Sequence, residues 1–244
     1  MSAQERVSVN IDVVIPAFDE ELAVGGVVEA LLPFVRHVYV VDNASQDRTA
    51  EIARAAGAIV ISEPRRGYGS ACLAGIAGLP NDCDIVVFVD ADGSDSPDEL
   101  PALVRPIVEG RADLVIGSRA LGRVEKGALT PQQLVGNAIA ATWLRARFGL
   151  PATDLGPFRA IRKSSLDALR MVDTNYGWTV EMQIKAAQQG LRYAEIPAAY
   201  KQRLGVSKVS GTLRGVLGAS YKILGLLAWY DVCGVRLQHR KSER

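Results

Sequence analysis

Apolar residues recur along this chain in two rhythms. Short runs at Val9–Ile15 (broken by Asn10 and Asp12), His37–Val41, Ala58–Ile61, Ile85–Val89, Leu114–Ile116 and Leu191–Ile196 predict strands. A turn at Asp154–Phe158 leads into one more strand toward Arg162. Uninterrupted apolar runs of this length fit a parallel sheet covered on both faces. Between them lie stretches with helical spacing, at about residues 20–32, 47–56, 71–78 and 131–148. Shorter helices are expected from Ser164 or Ser165 to Met171, and up to Gln189. Strands alternating with helices in this way predict right-handed βαβ units and an α/β fold with a mostly parallel central sheet.

The polar residues gather where the predicted strands end. The run Ile85–Val89 leads into Asp90-Ala91-Asp92-Gly93, and an extended backbone would send both carboxylates the same way. Two such groups repel unless a cation lies between them, and hard oxygen ligands suit Mg²⁺ or Mn²⁺. The bland alternative is an acidic loop that caps the next helix. Ser96-Pro97-Asp98-Glu99 has the pattern of a capping box with proline at the first helical position. Asp95 and Asp98 are assigned to capping or to solvent.

Asp42 repeats the strand-tip position. It either receives ribose hydroxyls or a base edge, or closes an Asx-turn with Asn43 and Ser45. The loop Glu63–Ser70 holds Arg65, Arg66, Gly67 and Gly69, and either meets a phosphate or a nucleobase through Arg66 or is a turn with solvated arginines. Arg119 sits at another strand tip. Tyr200–Thr212 carries Arg203, Ser207 and Lys208 among glycines, which suits an anionic phosphate or a solvated linker. Glu181 and Lys185 are spaced as a surface helix pair. Leu213–Val235 is amphipathic, with Trp229 and Tyr230 and a basic tail from Arg236 to Arg240. Such a helix either lies in a bilayer interface or packs on protein, in its own domain or a dimer.

Composition narrows the field. The 244 residues fit one α/β domain with a small appendage, divided here as 1–211 and 212–244. A net charge of +1 gives no global field for nucleic acid. The three cysteines are odd in number and lack metal spacing, which suits a cytoplasmic protein. No apolar signal region opens the chain, and no run reaches membrane-spanning length. Neither a dinucleotide-binding glycine motif nor a phosphate-binding P-loop follows the first strand.

The motifs, in order, resemble a known family. Val13–Glu20, Val41–Thr49 and Asp90-Ala91-Asp92 are similar to the opening, second-strand and metal-binding motifs of family 2 inverting glycosyltransferases with the GT-A fold. Arg66–Gly69, Gly117-Ser118-Arg119, Gly156–Arg159 and the Arg203 to Lys208 stretch resemble the polyprenyl-phosphate sugar synthases, of which dolichol-phosphate mannose synthase is the best-known type. The resemblance spans about Asn10 to Gly211. It implies a UDP- or GDP-linked hexose, glucose or mannose, as donor. Pro16, Ala17, Phe18, Glu20, Asp42, Arg66, Gly69, Asp90, Ala91 and Asp92 would bind that donor, with Mg²⁺ or Mn²⁺ on Asp90 and Asp92. Arg119, Arg203, Ser207 and Lys208 would hold the phosphate of a polyprenyl acceptor. Asp92 and Arg119 would act at the reacting centre. Were the acceptor a hydroxyl instead, Asp154 or Glu181 would be the base. Transfer to a soluble or glycan hydroxyl, a nucleotidyltransferase and a non-catalytic sugar-nucleotide-binding module are the rival readings. The expected setting is the cytoplasm, with peripheral contact to the membrane and a homodimer both left open.

Overall fold

A computed structural model describes residues 9–205 and 225–232 of the chain. Seven strands form one sheet: β1 (Ile11–Ala17), β2 (His37–Asp42), β3 (Ile59–Ser62), β4 (Ile85–Phe88), β5 (Leu114–Ser118), β6 (Arg159–Arg162) and β7 (Tyr193–Pro197), in the spatial order β3-β2-β1-β4-β6-β5-β7. Only β6 runs against its neighbours, pairing antiparallel with β4 and β5. This is the mostly parallel α/β sheet the sequence predicts.

The apolar runs are continuous because each strand feeds two cores. In β1, Val13 and Ile15 join one cluster and Val14 the other. In and just after β4, Ile85, Val87 and Val89 join the first cluster, and Val86 and Phe88 the second. Helices α1 (Val24–Leu31) and α4 (Leu100–Val108) cover the first face. Helices α3 (Tyr68–Ala77), α6 (Lys163–Leu169) and α7 (Trp178–Gln188) cover the second. Helix α2 (Thr49–Ala55) packs beside α1, and α5 (Pro131–Phe148) packs on α7. Asp12, polar within β1, is fully buried and accepts hydrogen bonds from Arg36 Nη2 at 2.6 Å and Nε at 3.1 Å.

Several local expectations are corrected. β4 stops at Phe88, so Asp90 and Asp92 meet on a turn rather than along an extended strand. Ser96 does not cap: Pro97–Glu99 forms a 3₁₀ turn, no side chain caps it, and the Glu99 carboxylate accepts from the Ala199 N–H at 2.9 Å instead. Neither Ser164 nor Ser165 caps α6, which begins at Lys163. Of the expected helix 213–235, residues 225–232 are described and helical; the remainder, and the boundary at 211/212, lie outside the described residues.

The order β3-β2-β1-β4 reverses direction at β1, so a crevice opens beyond the carboxyl ends of β1 and β4. Open α/β sheets bind ligands at such points. Helix α3 reaches this edge by close backbone packing: a Cβ on Gly69 would overlap the carbonyl oxygen of Asp173. Gly69→Ala is expected to cost about 1–3 kcal/mol through overpacking. Thermal unfolding of the purified variant checks this, and an unchanged midpoint would contradict the packing described.

Candidate active site

The crevice holds a cavity of about 380 Å³. One wall is Pro16, Ala17 and Phe18 at the end of β1, with Glu20 beyond. A second is Arg66, Gly67 and Tyr68 at the start of α3, and the floor is Asp90, Ala91 and Asp92. Asn175, Tyr176 and Arg203 close the remaining sides.

The first wall is fixed by loop-to-loop bonding. Asp19 has a positive φ of 51°, and its carboxylate accepts from the Gln46 N–H at 2.7 Å. Glu20 N–H donates to Thr49 Oγ1 at 2.8 Å. Asn43 joins β2 to the basic loop: its amide donates to the carbonyls of Glu63 and Arg65 and accepts from Gly67 N–H at 2.7 Å. The Arg66 guanidinium stacks on the Phe18 ring, 3.2 Å from its centroid, and donates to the Ala44 carbonyl at 3.1 Å. A cation on an aromatic face makes a flat, positively charged platform.

The floor concentrates negative charge. Asp90 accepts from Tyr68 OH at 3.1 Å. Burial, then the charge of Asp92, pushes the Asp90 carboxyl up to about 7. Asp92 accepts from the backbone N–H of Ser94 at 2.9 Å and from its hydroxyl at 2.5 Å. Asp95 is buried, not solvent-facing: its carboxylate accepts from the Asp90 N–H at 3.2 Å, and burial followed by the charges of Asp90 and Asp92 raises it well above the carboxylate range. Arg203 answers part of this charge, with Nη1 3.2 Å from Asp92 Oδ2 and Nη2 2.5 Å from Glu20 Oε1.

A divalent ion fits this floor. Asp90 and Asp92 offer hard oxygens at the base of an open cavity, and their mutual repulsion is what a cation relieves. Among the described residues no group of three His, Cys, Asp or Glu side chains is placed to hold an ion alone. The remaining ligands must then come from water or from a bound phosphate, as is usual for Mg²⁺.

The structure brings together Pro16, Ala17, Phe18, Glu20, Arg66, Asp90, Ala91, Asp92 and Arg203. It leaves others off the wall. Asp42 accepts from the Ser45 N–H at 3.2 Å in an Asx-turn, and Gly69 is buried in α3. Arg119 is gripped by Asp154 through Nε at 2.8 Å, Nη2 at 2.6 Å and its backbone N–H at 2.7 Å. Asp154 is fully buried in this pair. Glu181 is also fully buried, not a surface residue: it takes Lys185 at 2.7 Å, the Asp173 N–H at 2.8 Å and the Val172 N–H at 3.1 Å. Ser207 and Lys208 lie outside the described residues.

Sequence reading missed Asn43 as the loop clamp, Tyr68 as the partner of Asp90, and Asn175 and Tyr176 as wall. Tyr68 was within reach, since it opens the helix that follows the basic loop. Asn175 and Tyr176 carried no local signal, because a distant loop folds back onto α3 to deliver them.

Comparisons with known proteins converge on one family. The model described as glycosyl transferase family 2 matches residues 12–170. An uncharacterized glycosyltransferase of Mycobacterium tuberculosis is 41% identical over 207 residues, covering 84% of this chain and 92% of its own. An undecaprenyl-phosphate mannosyltransferase of Micrococcus luteus is 34% identical over 219 residues, covering 82% and 86%. Among solved structures, glucosyl-3-phosphoglycerate synthase of Mycobacterium tuberculosis, in complex with Mn²⁺, UDP and glucosyl-3-phosphoglycerate, superposes with a TM-score of 0.74 at 24% identity, covering 94% of this chain and 81% of that one. That likeness carries the fold. A crevice at the sheet's switch point with an acidic floor, together with these matches, makes the chain a member of glycosyl transferase family 2.

Proposed function

We propose that this glycosyltransferase moves a hexose, glucose or mannose, from a nucleoside diphosphate sugar to a polyprenyl phosphate, with inversion at the anomeric carbon. One observation carries the choice of acceptor. The two carboxylates that could serve as base toward a hydroxyl, Asp154 and Glu181, are fully buried, ion-paired and off the cavity wall. Neither carboxylate lines the cavity in which an acceptor would meet the donor. A phosphate acceptor is already an anion and needs no base. The Micrococcus relative, a mannosyltransferase named for a polyprenyl phosphate, supports the same reading.

The nucleoside would lie along Pro16, Ala17 and Phe18, with its diphosphate toward Asp90 and Asp92. Mg²⁺ or Mn²⁺ held by those two carboxylates would neutralise the leaving diphosphate. Tyr68 keeps the Asp90 carboxylate oriented into the cavity. Arg203, released from Asp92 and Glu20 by the incoming charges, would turn to phosphate oxygens. Arg119, paired with Asp154, would fix the loop after β5 behind the acceptor. The acceptor oxygen attacks C1 as the C1–O bond to the diphosphate breaks on the opposite face.

The test incubates the protein with Mg²⁺ or Mn²⁺, UDP-glucose or GDP-mannose and a short polyprenyl phosphate, and follows lipid-linked sugar. Product dependent on both metal and lipid phosphate supports the proposal. Donor consumption with a hydroxyl acceptor in its place would overturn it and favour the soluble-acceptor reading. Metal-dependent nucleotide binding without turnover of any donor would favour a binding module.

Two variants sharpen the account. Asp92→Asn is expected to lower kcat at least about a hundredfold, as loss of a charge-stabilising group does, and chelation of the metal by EDTA should do the same to the unmodified enzyme. Asp154→Ala is expected to destabilise the fold by about 3–5 kcal/mol, because it strands the buried Arg119 guanidinium. Denaturant unfolding reads that change. A variant of full stability with kcat abolished would mark Asp154 as the base and contradict this assignment.

A further inference from the structure

Helix α5 presents an apolar face outward. No charged residue occurs from Pro131 to Leu144, and Leu134, Val135 and Ile139 are about half exposed at 53%, 59% and 47%. Their spacing, with Ala138 and Thr142, is that of one helical stripe. A helix that faces water normally carries charge on that side. The neighbouring helical segment 225–232 adds exposed Trp229 and Val232. Between the two runs a groove of about 620 Å³, lined by Val135, Ile139, Trp143 and Ala146 and bounded by Arg147 and Asp231.

The surroundings select the occupant. Over residues 121–148 and 225–232 there are four basic residues, Arg123, Lys126, Arg145 and Arg147, against two acidic ones, Glu125 and Asp231, and the Arg147–Asp231 ion pair at 2.8 Å leaves Arg123, Lys126 and Arg145 in excess over Glu125. Leu121 and Val124 are exposed among them. Exposed aliphatic side chains, indole rings and a basic surround are the features of a surface that lies on anionic lipid. Trp229, exposed and edge to face with Tyr230 at 4.9 Å, has the amphipathic ring that settles at headgroup depth.

The two helical segments that carry this face are bonded to residues behind the cavity wall. Asn137 of α5 brackets Asp154, donating to the Thr153 carbonyl at 3.1 Å and accepting from the Leu155 N–H at 2.9 Å, and Asp154 holds Arg119. Tyr230 OH donates to Glu181 at 3.4 Å, and Glu181 holds the 172–173 backbone next to wall residues Asn175 and Tyr176. The geometry points to the outer face of α5, with segment 225–232, as a docking surface for an anionic lipid bilayer. This rests on the lipid-phosphate reading above, since it brings the cavity to the membrane that holds such an acceptor. Among the described residues no helix is long and apolar enough to cross a membrane.

The experiment sediments the full chain with vesicles of phosphatidylcholine containing phosphatidylglycerol, or of phosphatidylcholine alone. The unmodified protein should bind the anionic vesicles, and the double variant Val135→Ser/Ile139→Ser should bind them roughly tenfold more weakly. Both residues are exposed, and thermal unfolding verifies that the variant is folded. A separate variant, Ile139→Trp, should bind more tightly. Equal binding by all three proteins, or no binding by any, overturns the inference. A protein that is dimeric by light scattering, and that the double variant makes monomeric, would assign the face to a second copy instead. Turnover of a short polyprenyl phosphate in solution should be the same in the double variant as in the unmodified protein. Absence of that turnover in both proteins would refute the proposed acceptor, whatever the vesicles show.

Discussion

Three carboxylates within six residues, Asp90, Asp92 and Asp95, meet at the end of a central strand, and the rest of the site answers that concentration of charge. Burial alone would drive such groups to hold protons, and the raised Asp90 and Asp95 show that pressure. Tyr68, Ser94 and Arg203 each take part of it by hydrogen bond or ion pair. The cavity above them is open where a cation and a phosphate would complete the neutralisation. Arg203 couples this floor to the opposite wall through Glu20, so the same guanidinium that shields Asp92 also ties the 201–205 segment to the end of β1.

A second pair of ion bridges fixes the loops around the site. Asp154 with Arg119, and Glu181 with Lys185, are structural before they are chemical. Each buried carboxylate also accepts backbone N–H groups, so it fixes a loop: Asp154 the end of β5, Glu181 the 172–173 turn. Removing the Asp154 charge strands the Arg119 guanidinium that it holds. This arrangement also explains how a long loop, with few apolar contacts of its own, presents Asn175 and Tyr176 to the donor side.

Much of this was legible in the sequence, for a definite reason. In a doubly covered parallel sheet, strand runs are apolar throughout and polar residues collect at strand ends, so Asp90, Asp92 and Arg66 stood out by position, while Phe18 entered only through the family resemblance. What periodicity could not give was the partner of each charge. Glu181 and Lys185 have the spacing of a solvent-facing pair, yet α7 is clasped between the sheet and α5, and that packing buries Glu181 and leaves Lys185 partly exposed. Asp95 read as a cap because Ser96-Pro97 follows it, but the turn at Gly93, with φ at 75°, folds it back under Asp90. Asp42 kept two readings in the sequence, and in the structure its Oδ1 accepts from the Ser45 N–H at the tip of β2. The antiparallel β6 was equally silent, since a strand's direction depends on a crossover and not on its side chains.

The central claim is that the acceptor's own phosphate oxygen forms the new bond. Phosphorus NMR of the product made from a short polyprenyl phosphate tests it most directly. The account predicts conversion of the phosphomonoester signal into a phosphodiester, coupled to an anomeric proton whose configuration is inverted from that of the donor. An unchanged phosphomonoester, with sugar attached at a hydroxyl oxygen, would contradict it.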